Sequence, residues 1–184
     1  MGADNAASRD KLWQATFETY YECFHHEIVA DGLIDRWQRL DDIIKVLASM
    51  FASGTVVAGW ALWNTPKMRT IWAFLAGFTA VLSIVHGSLG VASRIRDWVE
   101  TKRRFGACRL ELETLIYRMQ IDSEFDVMEF TREFVERRKQ YAQGIHGLKN
   151  DTLLTVRLRN KAQDALDDRI RGKIMRQTQE PVDE

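Results

Sequence analysis

Proline is almost absent: Pro66 and Pro181 are the only two in 184 residues, and glycine is modest at 11. So few chain breakers exclude a loop-rich or many-stranded fold and favour long helices. Two cysteines, Cys23 and Cys108, are too few for a disulfide framework or a cysteine-built metal centre. The sequence also lacks a phosphate-cradling glycine loop and a nucleophile elbow, so no catalytic residue, cofactor or metal is assigned, and the reading is not an enzyme. Formal net charge is zero, which gives no sign of a polyanionic partner. Residues 1–10 carry Asp4 and Asp10 rather than a basic start followed by an apolar run, so no secretory leader is expected there.

What is present is concentrated apolar sequence. Residues 46–63 form an uncharged run of 18 and residues 70–93 one of 24, separated by the six-residue turn NTPKMR. A helix of about 20 mostly apolar residues crosses the hydrocarbon of a bilayer. The second run is ample. The first reaches that length through Ile43 and Ile44, with Lys45 extending its ammonium to the headgroups. These runs predict a helical hairpin spanning the membrane twice. Trp60, Trp63 and Trp72 cluster at the turn, and Trp37 and Trp98 lie just beyond the opposite ends, as interface anchors should. The turn carries Lys67 and Arg69. The flanks carry Arg36, Arg39 and Lys45 on one side and Arg94, Arg96, Lys102, Arg103, Arg104 and Arg109 on the other. The excess of positive charge places both flanks, and with them both termini, in the cytoplasm. Thiols are reduced there, so Cys23 and Cys108 are expected to be free.

The flanking sequence reads as helix. Leu12, Trp13, Phe17, Tyr20, Tyr21 and Phe24 recur at three- and four-residue spacing after Ser8 or Asp10, with a break expected at Asp31-Gly32. From Leu33 one helix is expected to run through Trp63. The second run should continue without interruption through Trp98, Phe105, Leu112, Leu115 and Met119. After Asp122-Ser123 comes a further helix bearing Phe125, Met128, Phe134 and Tyr141. A loop follows at 144–150, and then a last helix, capped by Asp151, carries Leu154, Leu158, Ala162, Leu166 and Ile170. The expected organisation is all-α: a cytosolic amphipathic helix over 1–32, a two-span hairpin with its continuous helix over 33–121, and cytosolic helices over 122–184.

Chemistry, if any, is in the spans. Trp72, Ala76, Thr79, Ser83, His86, Gly90 and Ser93 follow alternating steps of four and three, which puts them on one small, polar face. The first run has a matching face in Lys45, Ala48, Ala52, Thr55 and Gly59, with Ser49 and Ser53 beside it. Polar groups do not face lipid without cost, so these faces point at protein or water. Two readings stay open. The small residues bring helices together and the hydroxyls bond across them, or one face lines a water-filled pore. An ionisable group within a span is a functional candidate by default, which singles out His86. Two spans cannot enclose a pore, so a channel requires a homo-oligomer. His25 and His26 are adjacent and diverge by about 100° on a helix, so they do not form a metal pair with Cys23.

The approach FHHEIVADGLIDRWQRLDDIIKVLASM, the turn NTPKMR and the exit SIVHGSLGVASRIRDWVETKRRFGACRLELETL together resemble the SLATT family of bacterial two-span effectors. The resemblance covers residues 12–119. It implies an antiviral membrane effector in the bacterial inner membrane that oligomerises into a pore on a cytosolic signal. It also implies a nucleotide or oligonucleotide second messenger and a nucleotidyltransferase partner. No family active site exists to carry over. An anionic messenger would need converging cations. Arg137, Arg138 and Lys139, then Arg157, Arg159 and Lys161, are candidates, as is the group Lys102 to Arg104 with Arg109, which anionic membrane lipids suit better. The competing reading is a non-conducting, membrane-anchored scaffold that recruits a cytosolic enzyme.

Overall fold

A computed structural model describes the backbone of residues 2–62, 70, 74, 77–81, 84, 87, 90–122, 124–145 and 151–179. Side chains are described for the same residues except 2–4, 51–62 and 173–179. Among the described residues the chain is all-helical. Four helices carry it: α1 Gly2–Leu62, α2 Val91–Ile121, α3 Val127–Ile145 and α4 Val156–Gln179. Eleven of the 24 residues of the second apolar run lie outside the described residues, and Thr70, Phe74, 77–81, Ile84 and Gly87 are helical.

The chain divides into two compact units, one made of residues 1–33 and 98–184 and the other of residues 34–97. The first holds the core. Leu12, Tyr20 and Cys23 of α1 meet Cys108, Leu112, Leu115, Ile116 and Met119 of α2, with Phe125 from the α2–α3 connection and Phe130 and Phe134 of α3. All three helices present these residues at three- and four-residue steps, which is how a helix forms a continuous apolar face. Thr16 and Thr19 are buried with them, and each hydroxyl donates to a carbonyl four residues back, at Leu12 and Ala15. A buried hydroxyl satisfied within its own helix avoids the cost of an unpaired polar group.

The break expected at Asp31-Gly32 does not occur: α1 passes through it. A Cβ on Gly32 would stand 2.6 Å from Leu158 Cδ1 of α4, so glycine here is a seat for a crossing leucine rather than a stop. Charge and packing hold the helix where local propensity would end it.

The structure also defines the caps of the last two helices, and one of them differs from expectation. Asp126 opens α3, with Met128 N donating to its carboxylate at 2.8 Å and Phe130 N to its carbonyl at 3.1 Å. Asp122 instead closes a short turn by accepting from Glu124 N. Thr155, not Asp151, caps α4: Leu158 N donates to Thr155 Oγ1 at 3.3 Å and Arg159 N to its carbonyl. Leu154 therefore precedes α4. Gly144 and Ile145 belong to α3, and residues 146–150 lie outside the described residues.

In the unit of residues 34–97, Ile34, Trp37 and Val91 are buried, and the Arg94 guanidinium sits 5.2 Å from the Trp37 ring centroid. The expected unbroken passage from the second run into the following helix meets a turn at Gly90, whose φ is +56°. That left-handed backbone suits glycine, which has no Cβ to clash. Arg94 N and Ser93 Oγ both donate to the Gly90 carbonyl, at 3.1 and 2.6 Å, so α2 starts there as a new helix.

Candidate functional site

Within the first unit, three helices converge on a compact polar and aromatic cluster inside the core. Each contributes a pair spaced three or four apart: Cys23 and His26 from α1, Phe105 and Cys108 from α2, Arg137 and Tyr141 from α3. Such spacing puts both members of a pair on one helix face. The His26 ring lies 5.2 Å from that of Phe105 and 5.8 Å from that of Tyr141. Its neighbour His25 is edge-on at 5.4 Å. Burial, together with the positive charges of His25 and of Arg159 on α4, lowers the His26 pKa to about 4. At neutral pH it is therefore an uncharged ring stacked among aromatics. Burial, with Glu22 close by, pushes the Tyr141 phenol well above its ordinary value, so it stays protonated. Cys23 Sγ and Cys108 Sγ are 3.2 Å apart beneath these rings, and Cys108 Sγ is 3.7 Å from the Arg137 carbonyl.

Around the cluster, charged side chains link the helices. Arg109 Nε donates to Glu27 Oε2 at 2.7 Å and its guanidinium covers the Phe24 ring, while its other arm reaches Glu113. Lys102 pairs with Asp31 and Arg118 with both oxygens of Glu133, while Arg104 pairs with Glu100 along α2 itself. Tyr21 donates to Asp167 of α4, and Gln163 donates to the Tyr21 hydroxyl. Lys102, Arg104 and Arg109, suited by sequence to lipid contact, thus each carry a carboxylate partner from within the protein.

The other sequence candidates separate rather than converge. Arg137 Nε is 2.8 Å from Glu111 Oε2, an ionic contact too poorly aligned to be a hydrogen bond. Arg138 lies over the Phe134 ring at 6.0 Å. Lys139 faces a cleft of about 800 Å³ between the start of α1 and α3, where it, Arg9 and Arg132 balance Glu124, Asp126 and Glu136. That balance gives the cleft no preference for an anion. Arg157, Arg159 and Lys161 are exposed on α4. Trp98 is buried, and its Nε1 donates to Asp151 at 2.6 Å; Trp37 is buried under Arg94.

Of the residues proposed for the spans, Ser49 is exposed, Thr79 is half-buried and Gly90 forms the turn already described. The side chains of Ser53, Thr55 and Trp60, and residues Trp63, Trp72, Ser83 and His86, lie outside the described residues. Among the described residues no helix is long and apolar enough to cross a membrane, and no cluster of three or more His, Cys, Asp or Glu could hold a metal.

The class these features define is an all-helical protein with a cross-linked helical core and a separate apolar unit. No family model, curated protein or solved structure matches the chain.

Proposed function

We propose that the chain is a membrane effector that inserts its two apolar runs as a hairpin, with both termini cytoplasmic, assembles as a homo-oligomer and conducts ions. The observation that carries this reading is the pair of uncharged runs, 18 and 24 residues long, flanking a six-residue turn. A second supports it. In the unit of residues 34–97, Phe74, Phe78, Val81 and Ile84 are all exposed, as are Ile43, Val46 and Met50. Exposed apolar side chains in this number call for apolar surroundings, and lipid supplies them. Conduction runs along the polar face of Thr79, Ser83, His86 and Gly90, opposite Ser49, Ser53 and Thr55.

Control comes from the helical unit of residues 1–33 and 98–184. A nucleotide or oligonucleotide messenger, or the partner that makes it, acts on exposed cations of that unit, among them Lys139, Arg157, Arg159 and Lys161. α1 and α2 each supply residues to both units, so a change in one is carried by helices that belong to the other. The resemblance to two-span antiviral effectors supports this assignment.

Ion flux through liposomes containing the purified full chain, with and without candidate nucleotides, tests it. The proposal expects flux that His86→Leu reduces at least tenfold while insertion and oligomer size are unchanged. Inserted, oligomeric protein that conducts under no condition would instead favour the membrane-anchored scaffold.

A further inference from the structure

Cys23 of α1 and Cys108 of α2 are free thiols whose side chains are buried in the core of the first unit. The bland reading of a buried cysteine is a small apolar filler. The arrangement here is more specific. The two sulfurs are 3.2 Å apart, with the Cys23 thiol donating to Cys108, and the Cys108 thiol is aimed at the Arg137 carbonyl of α3 at 3.7 Å. Each proton in this relay has an acceptor, so the order of donation is set. A disulfide needs its sulfurs about 2.0 Å apart, so bond formation requires a further approach of only about 1.2 Å. We propose that Cys23 and Cys108 form a redox-active dithiol that hydrogen peroxide closes to an intramolecular disulfide, covalently tying α1 to α2.

The two sulfurs have different parts. The hydrogen bond from Cys23 holds the Cys108 thiol below its ordinary value against the opposing effect of burial, and Arg137 helps. Cys23 is pushed up by the same hydrogen bond and by burial. Cys108 is therefore the attacking group and Cys23 the resolving one. The Cys108 thiolate attacks one peroxide oxygen. The S–O bond forms as the O–O bond breaks, and the departing hydroxide takes a proton to leave as water. Cys23 then attacks the sulfur of the Cys108 sulfenic acid. The S–S bond forms as the S–O bond breaks, and the Cys23 proton leaves with the hydroxide as a second water. Two thiols and one peroxide give one disulfide and two waters, the peroxide accepting the two electrons. A small oxidant suits sulfurs this buried, whereas a bulky disulfide such as oxidised glutathione has no open approach. The bond would close a loop across 85 positions that contains both apolar runs.

The test uses the full chain, reduced and freed of reductant, in detergent. It is treated with hydrogen peroxide, denatured in an alkylating reagent, and read by non-reducing electrophoresis and peptide mass. The proposal expects a faster-migrating monomer that dithiothreitol reverses, both thiols lost to alkylation together, and one peptide pair joining Cys23 to Cys108. Cys23→Ser should instead accumulate a sulfenic acid that dimedone traps, whereas Cys108→Ser should not. Thiols that remain fully alkylatable at peroxide doses that close a reference dithiol would overturn the proposal. Cross-links only between molecules would also overturn it. If a serine variant loses its helical circular dichroism, the wild-type peptide map decides alone. None of these readouts involves conductance, so failure of the pore and failure of the dithiol are distinguishable.

Discussion

The two units treat apolar surface in opposite ways. In residues 1–33 and 98–184, large apolar side chains such as Leu33, Phe105, Leu112 and Leu166 are almost wholly withdrawn from solvent. Ion pairs such as Arg109–Glu27 and Arg118–Glu133 join helices at the edges of that core. In residues 34–97 several of the described apolar side chains are presented outward, Phe74 at 82% and Ile84 at 71% exposure, while Ile34, Trp37 and Val91 are buried. The first unit obtains its stability from its own burial. Among the described residues, the second leaves more of its large apolar side chains exposed than buried.

Truncations at equivalent chemistry should separate the two. Leu112 is fully buried, and Leu112→Ala should cost about 3 kcal/mol in chemical denaturation followed by circular dichroism. Phe74→Ala removes a larger side chain, yet it should move the same transition by less than about 0.5 kcal/mol, because there is little native burial to lose. Equal losses at both positions would break the contrast.

The next effect depends on pH and is confined to the first unit. His26 is folded with its pKa lowered to about 4 from the ordinary 6.5. Between those values the unfolded chain binds the proton and the folded chain resists it. The contribution is thus complete above about pH 6.5 and is lost as pH falls toward 4. The groups facing it are His25 on its own helix, Tyr141 on α3 and Arg159 on α4, with Phe105 as the apolar wall. With its partial exposure discounted, the loss should be about 2 kcal/mol across that window. His26→Phe should flatten the stability profile there, which denaturation series at several pH values would read.

Local pattern and long-range contact were unequally legible in the sequence. The all-helical character follows from scarce proline and from apolar spacing, both local. So does the apolar side of α2, since Phe105, Leu112, Leu115 and Met119 were identified on periodicity alone. What sequence missed was set by contact between distant positions. Asp31-Gly32 carries the composition of a helix stop, and only the seat it makes for Leu158 explains why α1 continues. Asp151 has the composition of a cap but is occupied with Trp98, which leaves the cap to Thr155. In the sequence Cys23 and His26 were weighed as a metal site with His25, and Cys23 and Cys108 as free thiols, but nothing placed the two cysteines side by side. Their partners Phe105, Cys108 and Tyr141 lie about 80 to 120 positions away and no local signal points to them.

The turn at the start of α2, within the apolar unit, offers a smaller perturbation. Gly90 holds φ at +56°, a conformation that costs a residue with a side chain about 1 to 2 kcal/mol. A Cβ there would also approach Ser93 Oγ to 3.0 Å. Gly90→Ala should lower stability by about 1.5 kcal/mol in a detergent-based thermal assay, and Gly90→Asn, which tolerates left-handed backbone, should recover part of the loss. No difference between the two variants would mean that the turn does not constrain the start of α2.

The smallest effect belongs to the helix cap that sequence misassigned, and it bears on which unit governs the measured stability. Thr155 Oγ1 accepts from Leu158 N at the start of α4, a helix whose first turn has no acidic residue to offset its positive end. Removing the hydroxyl leaves the Leu158 amide only its 3.0 Å bond to the Thr155 carbonyl, a loss of cap that in an exposed first turn costs about 1 kcal/mol. Thr155→Ala should show that loss, and Thr155→Ser or Thr155→Asp should restore it. Asp151→Ala acts differently. Its carboxylate accepts from Leu153 N and from the buried Trp98 indole, so its loss strands a donor in the core as well as loosening a turn. Tryptophan fluorescence in that variant should therefore change while that of Thr155→Ala does not. Matching spectra would return the capping role to Asp151.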